Sequence, residues 1–269
     1  MREPLVSIII PTKNIDKMLG PCLDSITAQT YHSVEIVIVD SWSHDETVDI
    51  AKRHGAKILS KSWSRIPEAR NLGMRVAKGT YIYHMDADMI LARNSISENV
   101  GLCERGADAV IGPQLFDGHG FLGKAKALEF ACHFSDPLIK SSRFMRREVF
   151  ETIGGYDESL DAGEDWDITQ RIERVYKVAR ANTPVVHGWG KYDVVHAMRR
   201  KYRYGKSVRL YMKKHPKEAI QQWSFWRIRN MEMKRVAFDP LHGIGLIIIK
   251  TCEFGAGALG IISAFLMGA

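Results

Sequence analysis

Residues 79–91 read GTYIYHMDADMIL, an apolar, strand-like run that ends in two carboxylates one residue apart. In an extended chain the side chains at i and i+2 point to the same side. Asp86 and Asp88 therefore face one cleft at the C-terminal edge of the strand, which is where open α/β sheets take their ligands. Two hard oxygen ligands suit Mg²⁺ or Mn²⁺, ions that keep several waters and complete their shell with substrate phosphate oxygens. Solvated acids also close many strands that bind nothing, so the flanking pattern has to carry the reading.

Upstream, Val6–Ile10 is a continuous β-branched run fit for a buried parallel strand, ended by Pro11. Met18, Cys22, Leu23 and Ile26 then recur at helical spacing, Val34–Val39 forms a second strand that delivers Asp40, and a polar turn leads into a helix closed by Gly55. Lys57–Ser60 is a third short strand, and Pro67 opens a helix that Gly79 closes. This alternation predicts a mostly parallel, right-handed wound sheet, Rossmann-like, with ligand loops along one edge. Neither Gly-x-Gly-x-x-Gly nor a P-loop follows the first strand, which disfavours dinucleotide and Walker-type sites.

Downstream, Asn94 or Ser95 caps a helix that Gly106 stops, and Ala107–Gly112 resumes as a strand. Phe116–Gly123 is glycine-rich and reads as a loop. Ser141–Met145 is a strand, Arg147–Ile153 a short helix, and Glu164–Asp165–Trp166–Asp167 opens a further helix with its acids at the favourable end of the dipole. Lys177–Val186 reads as one late strand.

The 269 residues suit one large α/β domain with an appendage, and the net charge of +7 is unevenly spread. Met198–Val236 holds 13 Lys or Arg against Glu218 and Glu232, a net of +11, which leaves the rest of the chain at −4. Nucleic acid, an anionic membrane and an acidic substrate are the partners such a region can meet. The four cysteines stand singly, as expected for reduced thiols facing the cytosol, and the start MREPLVSIIIP reads as a first strand rather than a signal peptide.

In this order, SIIIPTKN at 7–14, IVIVDSWSHDET at 36–47, the Asp86–Ala87–Asp88 strand and GGYDESLDAGEDWDITQRI at 154–172 resemble glycosyltransferase family 2. Its members have the GT-A fold and invert configuration at the transferred sugar. The resemblance spans roughly Leu5 to Tyr211. It implies a nucleotide-diphosphate sugar donor, with Pro11, Thr12 and Asn14 beside the nucleotide and Asp40 accepting hydrogen bonds from the base. Ser41 stands where the family often has a second acid, which leaves uracil and guanine both open. Arg70, and more loosely Arg65, match basic positions near the donor diphosphate. Asp86 would lie near the ribose or the metal, Asp88 would ligate it, and His187 would complete the shell or touch the diphosphate. Asp165 matches the acid usually assigned as base, and Glu164 would orient the acceptor or raise the pKa of Asp165 through like charge. Trp166 and Trp189 can stack on a sugar or acceptor or fill the core, and Arg171 is expected to pair internally.

The expected architecture is thus a GT-A catalytic domain over 1–195, followed by a basic and hydrophobic helical region over 196–269. Leu241–Ala269 is apolar, but Lys250 and Glu253 divide it into runs short of the ~20 residues that a span needs, so two short helices lying in one leaflet are expected. The basic stretch, with Trp223, Phe225 and Trp226, suits a membrane interface. A lipid-linked or glycan acceptor at the cytoplasmic face of a membrane follows. The rivals are a polyprenyl-phosphate sugar synthase, a nucleotidyltransferase and, outside the class, a nucleic-acid binder, disfavoured because no RNP-like or zinc motif accompanies the basic run.

Overall fold

β1 (Val6–Thr12) is buried along its whole length, as a strand covered on both faces must be. The computed structural model describes residues 3–223 and 232–266. After β1 come α1 (Asp16–Thr27), β2 (Val34–Asp40), α2 (Thr47–Arg53), β3 (Lys57–Ser60), α3 (Ile66–Met74), β4 (Tyr81–His84), β5 (Met89–Leu91), α4 (Ser95–Glu104) and β6 (Ala109–Ile111). The middle of the chain forms β7 (Gln114–His119), α5 (Gly120–Cys132), β8 (Ser142–Arg146), α6 (Arg147–Thr152), α7 (Glu164–Glu173), β9 (Val178–Arg180) and β10 (Val185–Lys191). Helices α8 (Val194–Lys214), α9 (Pro216–Trp223), α10 (Met233–Phe238) and α11 (Pro240–Leu266) follow.

The chain divides into two compact units: residues 1–113, 140–158 and 164–187 in the first, and 114–139, 159–163 and 188–269 in the second. The second unit thus takes residues 114–139, 159–163 and 188–195 from within the span 1–195.

The first unit holds a seven-stranded sheet of order β3-β2-β1-β4-β8-β6-β9. β1 pairs in parallel with β2 and β4, and β2 with β3, whereas β8 runs antiparallel to both of its neighbours. The order reverses between β1 and β4, so the C-terminal ends of these two strands flank the crevice where such sheets bind ligands. Alternate residues of the central strands serve two cores. Ile8, Ile10 and Ile38 pack with Leu19 and Leu23 of α1, and Ile9, Val37 and Val39 with Ala69 and Met74 of α3. Gly73 permits this α3 approach, since a Cβ there would fall on the side chains of Ile9 and Val39.

Three boundaries differ from the sequence reading. β1 continues through Pro11 to Thr12, because Pro11 lies beyond the last β4 pairing, at Ile9, where β1 has only β2 beside it. The expected single strand 177–186 breaks in two because Glu98 accepts the backbone N–H groups of Asn182 and Thr183 and holds a turn there. The expected loop 116–123 is instead strand and helix: Gly120, at φ +69°, starts α5, and Gly118 and Gly123 approach too closely for either to carry a Cβ.

In the second unit, α11 is one continuous helix of 27 residues, not two short ones. The charges expected to interrupt it face inward. Glu253 accepts from Lys126 Nζ at 2.9 Å and from Tyr192 Oη at 2.5 Å, and Lys250 pairs with Glu129. The inward face also carries Gly260, and with Gly205 of α8 it lets the two helix backbones touch. Leu241, Ile244, Ile247, Ile248, Phe254, Leu259, Ile262 and Phe265 line the outward face and are exposed. Phe225 and Trp226 lie outside the described residues, as do the side chains of Trp189 and Trp223.

Candidate active site

The site lies in the first unit, at the C-terminal end of β4. Arg70 is an interior residue of α3, only 1% exposed, and so large a buried cation needs fixed partners. Its Nη2 donates to Asp86 Oδ1 at 2.9 Å and its Nη1 to Asp165 Oδ1 at 2.6 Å. Glu164 Oε1 lies 3.7 Å from the same Nη1, and the guanidinium sits over the Tyr156 ring, 5.0 Å from its centroid.

Arg143, from β8, repeats the arrangement on the other oxygens. Its Nη2 donates to Asp165 Oδ2 at 2.8 Å, and its Nη1 lies 3.0 Å from Asp86 Oδ2. Ser141 Oγ donates to Asp165 Oδ2 at 3.1 Å. Asp165 itself is fixed through the first turn of α7, where Thr169 Oγ1 donates to the Asp165 carbonyl and accepts from the backbone N–H of Ser142 on β8. Arg171 pairs internally, as expected, donating to Asp167 and to the carbonyls of Ile153 and Gly155.

These pairings set the two neighbouring acids of α7 apart. Burial pushes the Asp165 carboxyl up, but Arg143 and Arg70 outweigh it and hold the group below the usual range. Glu164 has no such match: burial and then the charge of Asp165 push it up to about 7, against a weaker pull from Arg70. Asp86 lies well below the ordinary carboxylate range, because Arg143, Arg70 and His187 overcome its burial.

A second cluster shares Asp86. β10 pairs antiparallel with β5, which sets His187 opposite Met89. There His187 Nε2 lies 3.3 Å from Asp86 Oδ2 and 3.5 Å from Asp88 Oδ1. One ligand atom from each of the three residues lies within 4.8 Å of the others, so two hard oxygens and an imidazole converge. This donor set fits Mn²⁺ or Mg²⁺. The charge balance agrees: among the described residues, Arg70 pairs with Asp86, Glu164 and Asp165 and Arg143 with Asp86 and Asp165, while Asp88 meets His187.

At the neighbouring ends of β1 and β2 the sequence-predicted nucleotide residues split into support and surface. Pro11, Thr12 and Asp40 are buried. Asp40 accepts from Thr12 Oγ1 at 3.0 Å, from Ser43 Oγ at 2.6 Å and from the Ser43 backbone N–H at 2.9 Å, so its carboxylate is engaged in shaping the loop. Asn14 is exposed; its backbone N–H donates to Ser43 Oγ and its Oδ1 accepts from the backbone N–H of His44. Arg65 stays out of the carboxylate cluster and donates from Nη1 to the Glu158 carbonyl.

The sequence reading passed over Arg143, Ser141 and Tyr156. A signal for Arg143 was present: a cation inside the short strand SRFMR costs free energy unless acids meet it.

Comparison with known proteins agrees with this geometry. The model of the glycosyl transferase family 2 matches residues 7–156. A PGL/p-HBAD biosynthesis glycosyltransferase of Mycobacterium bovis is 33% identical over 181 residues, covering 64% of this chain and 70% of that protein. A glycosyltransferase of Rickettsia prowazekii is 30% identical over 193 residues, covering 65% and 61%. Among solved structures, a mannosyltransferase of Pyrobaculum calidifontis in complex with GDP-Man and Mn²⁺ superposes with a TM-score of 0.66 at 18% identity, covering 98% of this chain and 88% of that one. S. aureus TarS 1–349 in complex with UDP gives 0.55 at 13% identity, covering 98% and 92%. The sheet order with its one antiparallel strand, the acids at the end of β4 and the family match over more than half the sequence lead to one assignment: this chain belongs to glycosyl transferase family 2 and has the GT-A fold.

Proposed function

We propose that this nucleotide-sugar-dependent glycosyltransferase is metal-dependent and inverting, and that it transfers its sugar to a hydroxyl of a lipid-linked acceptor at the cytoplasmic face of a membrane. The convergence of Asp86, Asp88 and His187 carries the reading. These three residues would hold Mn²⁺ or Mg²⁺. The bound ion supplies Lewis-acid neutralisation of a leaving diphosphate. UDP- and GDP-sugars are the donors to test first, because the structural neighbours are complexes with GDP-Man, UDP and UDP-GlcNAc.

The acceptor oxygen bonds to the anomeric carbon as the bond to the diphosphate oxygen breaks, and the nucleoside diphosphate leaves with the electron pair. The acceptor proton goes to the Glu164–Asp165 pair. Asp165 was the expected base, yet both its oxygens are held by cationic donors, which lowers their proton affinity. Glu164 is 20% exposed, faces one guanidinium at 3.7 Å and has its pKa raised to about 7, which suits a base at neutral pH. The proton is therefore assigned to Glu164, and Asp165 positions Arg70 and Arg143.

Membrane association is supported by the second unit. The outward face of α11 offers a row of exposed apolar side chains, and α8 exposes Arg199, Arg200, Arg203, Lys206 and Lys213. Each Lys or Arg near an anionic surface adds ~1 kcal/mol. With one face packed in protein and the other exposed, α11 fits a helix lying in one leaflet.

The test incubates the protein with UDP- and GDP-sugars, a polyprenyl-linked acceptor and Mn²⁺, then determines the anomeric configuration of the product by NMR. An inverted glycoside together with free nucleoside diphosphate is expected. Retention of configuration, or release of inorganic diphosphate, would refute the proposal.

A further inference from the structure

Trp42 follows Ser41 at the C-terminal end of β2, in the turn that Asp40 organises. Its φ is +54°, and Asn14 at +49° is the other non-glycine residue with positive φ among the described residues. For a bulky side chain this is a true outlier, sustained only where the surroundings over-determine it. They do so here. The backbone N–H of Ser41 donates to the Thr12 carbonyl at 3.0 Å, and Ser43 is bound to Asp40 through both its N–H and its Oγ. Trp42 is thus held in an unfavourable conformation between two pinned neighbours. Nevertheless the residue is 59% exposed, so burial does not compensate for the strain.

The place of this ring along the sheet edge points to an occupant. The carboxylate and arginine clusters lie at the end of β4, and β2 stands two strands away in the order β2-β1-β4, about 10 Å at the usual spacing. On the other side of β4, Arg143 of β8 and Ser141 just before it meet Asp165 of α7. With the diphosphate end of a ligand at the Asp86, Asp88 and His187 cluster, the ends of β1 and β2 carry neither that acid cluster nor its arginines and leave a place for an uncharged, planar end. We propose that Trp42 is the platform on which the base of the donor nucleotide stacks. This rests on the nucleotide-sugar reading above. A π-face takes any base, so the platform supplies affinity without choosing between bases.

Isothermal titration of the whole protein in Mn²⁺ tests this, with UDP, GDP and inorganic diphosphate as titrants. Base–aromatic stacking corresponds to about a five- to hundred-fold change in affinity. In Trp42→Gly, nucleoside diphosphate binding falls by that factor while inorganic diphosphate binds as before. The variant melts at a higher temperature, because glycine adopts the positive φ without strain. Trp42→Tyr keeps most of the affinity. The proposal is overturned if Trp42→Gly binds UDP and GDP like the wild type, or if it loses inorganic diphosphate equally, which would mark a structural role. Wild-type protein that binds inorganic diphosphate but neither nucleotide would instead refute the nucleotide-sugar reading itself, and the platform with it.

Discussion

Asp86 and Asp165, far apart in sequence, are bridged twice, Oδ1 to Oδ1 through Arg70 and Oδ2 to Oδ2 through Arg143. Each guanidinium spans both acids, so the loop after β4 and the first turn of α7 hold a fixed spacing. Removing one guanidinium leaves both carboxylates undercompensated in a buried setting. Arg143→Ala should therefore lower the unfolding free energy by about 3–5 kcal/mol in urea titration, the range for breaking a buried ion pair. A loss below about 1 kcal/mol would show that the bridge does not hold the two segments.

The two acids of α7 should separate by readout. Glu164→Gln keeps the arginine bridges and should lower turnover by about 10²- to 10⁴-fold, with a midpoint of unfolding at neutral pH no lower than that of the wild type. Asp165→Asn removes the charge that Arg70 and Arg143 share, and should lose stability together with turnover. If Glu164→Gln turns over within about threefold of wild type at saturating acceptor, the proton goes elsewhere.

The pH dependence has opposite signs for activity and stability. Glu164 works ionised, so turnover should rise through about pH 7, the value to which burial and Asp165 push its carboxyl. Between its ordinary 4.5 and about 7 the folded protein binds more protons at this group than the unfolded chain, so its contribution to stability falls as pH rises. Asp86 and Asp165 are depressed, so the stability they contribute is present above the ordinary carboxylate pKa and is lost in acid. Thermal melts of wild type and Glu164→Gln from pH 4 to 8 should converge toward low pH, where Glu164 is neutral in both states.

Much of the first unit could be read in the sequence because its strands are buried on both faces and appear as unbroken β-branched runs, as in Val6–Ile10 and Val34–Val39. Asp86 and Asp88 of the candidate metal cluster were legible as paired acids closing a strand, whereas His187 came only through the family resemblance. Arg143 was legible only as a cation in a short strand; SRFMR, with Arg143 and Arg146, does not say which acids Arg143 meets, one 57 residues before it and one 22 after it. α11 was misjudged for a related reason. Lys250 and Glu253 break an apolar run in one dimension, whereas in the folded unit Glu129, Lys126 and Tyr192 meet them on one face.

The outward face of α11 gives a prediction that leaves the fold intact. Ile247→Glu and Leu259→Glu place charge where the side chains are exposed, so melting should change little. Co-sedimentation with anionic liposomes should fall sharply, and raising the salt should weaken the wild type through the basic residues of α8. Undiminished sedimentation of the double variant would remove α11 from the membrane proposal.

Release of nucleoside diphosphate from UDP- and GDP-sugars, measured with Mn²⁺, with EDTA and with Asp88→Ala, tests the account most directly. Wild-type protein in Mn²⁺ should release it, EDTA should abolish release and restored Mn²⁺ should recover it, while Asp88→Ala should stay inactive and bind Mn²⁺ more weakly in direct titration. Equal rates in EDTA and in Mn²⁺, with full activity of Asp88→Ala, would contradict the assignment of Asp86, Asp88 and His187 as the metal-holding centre of this transferase.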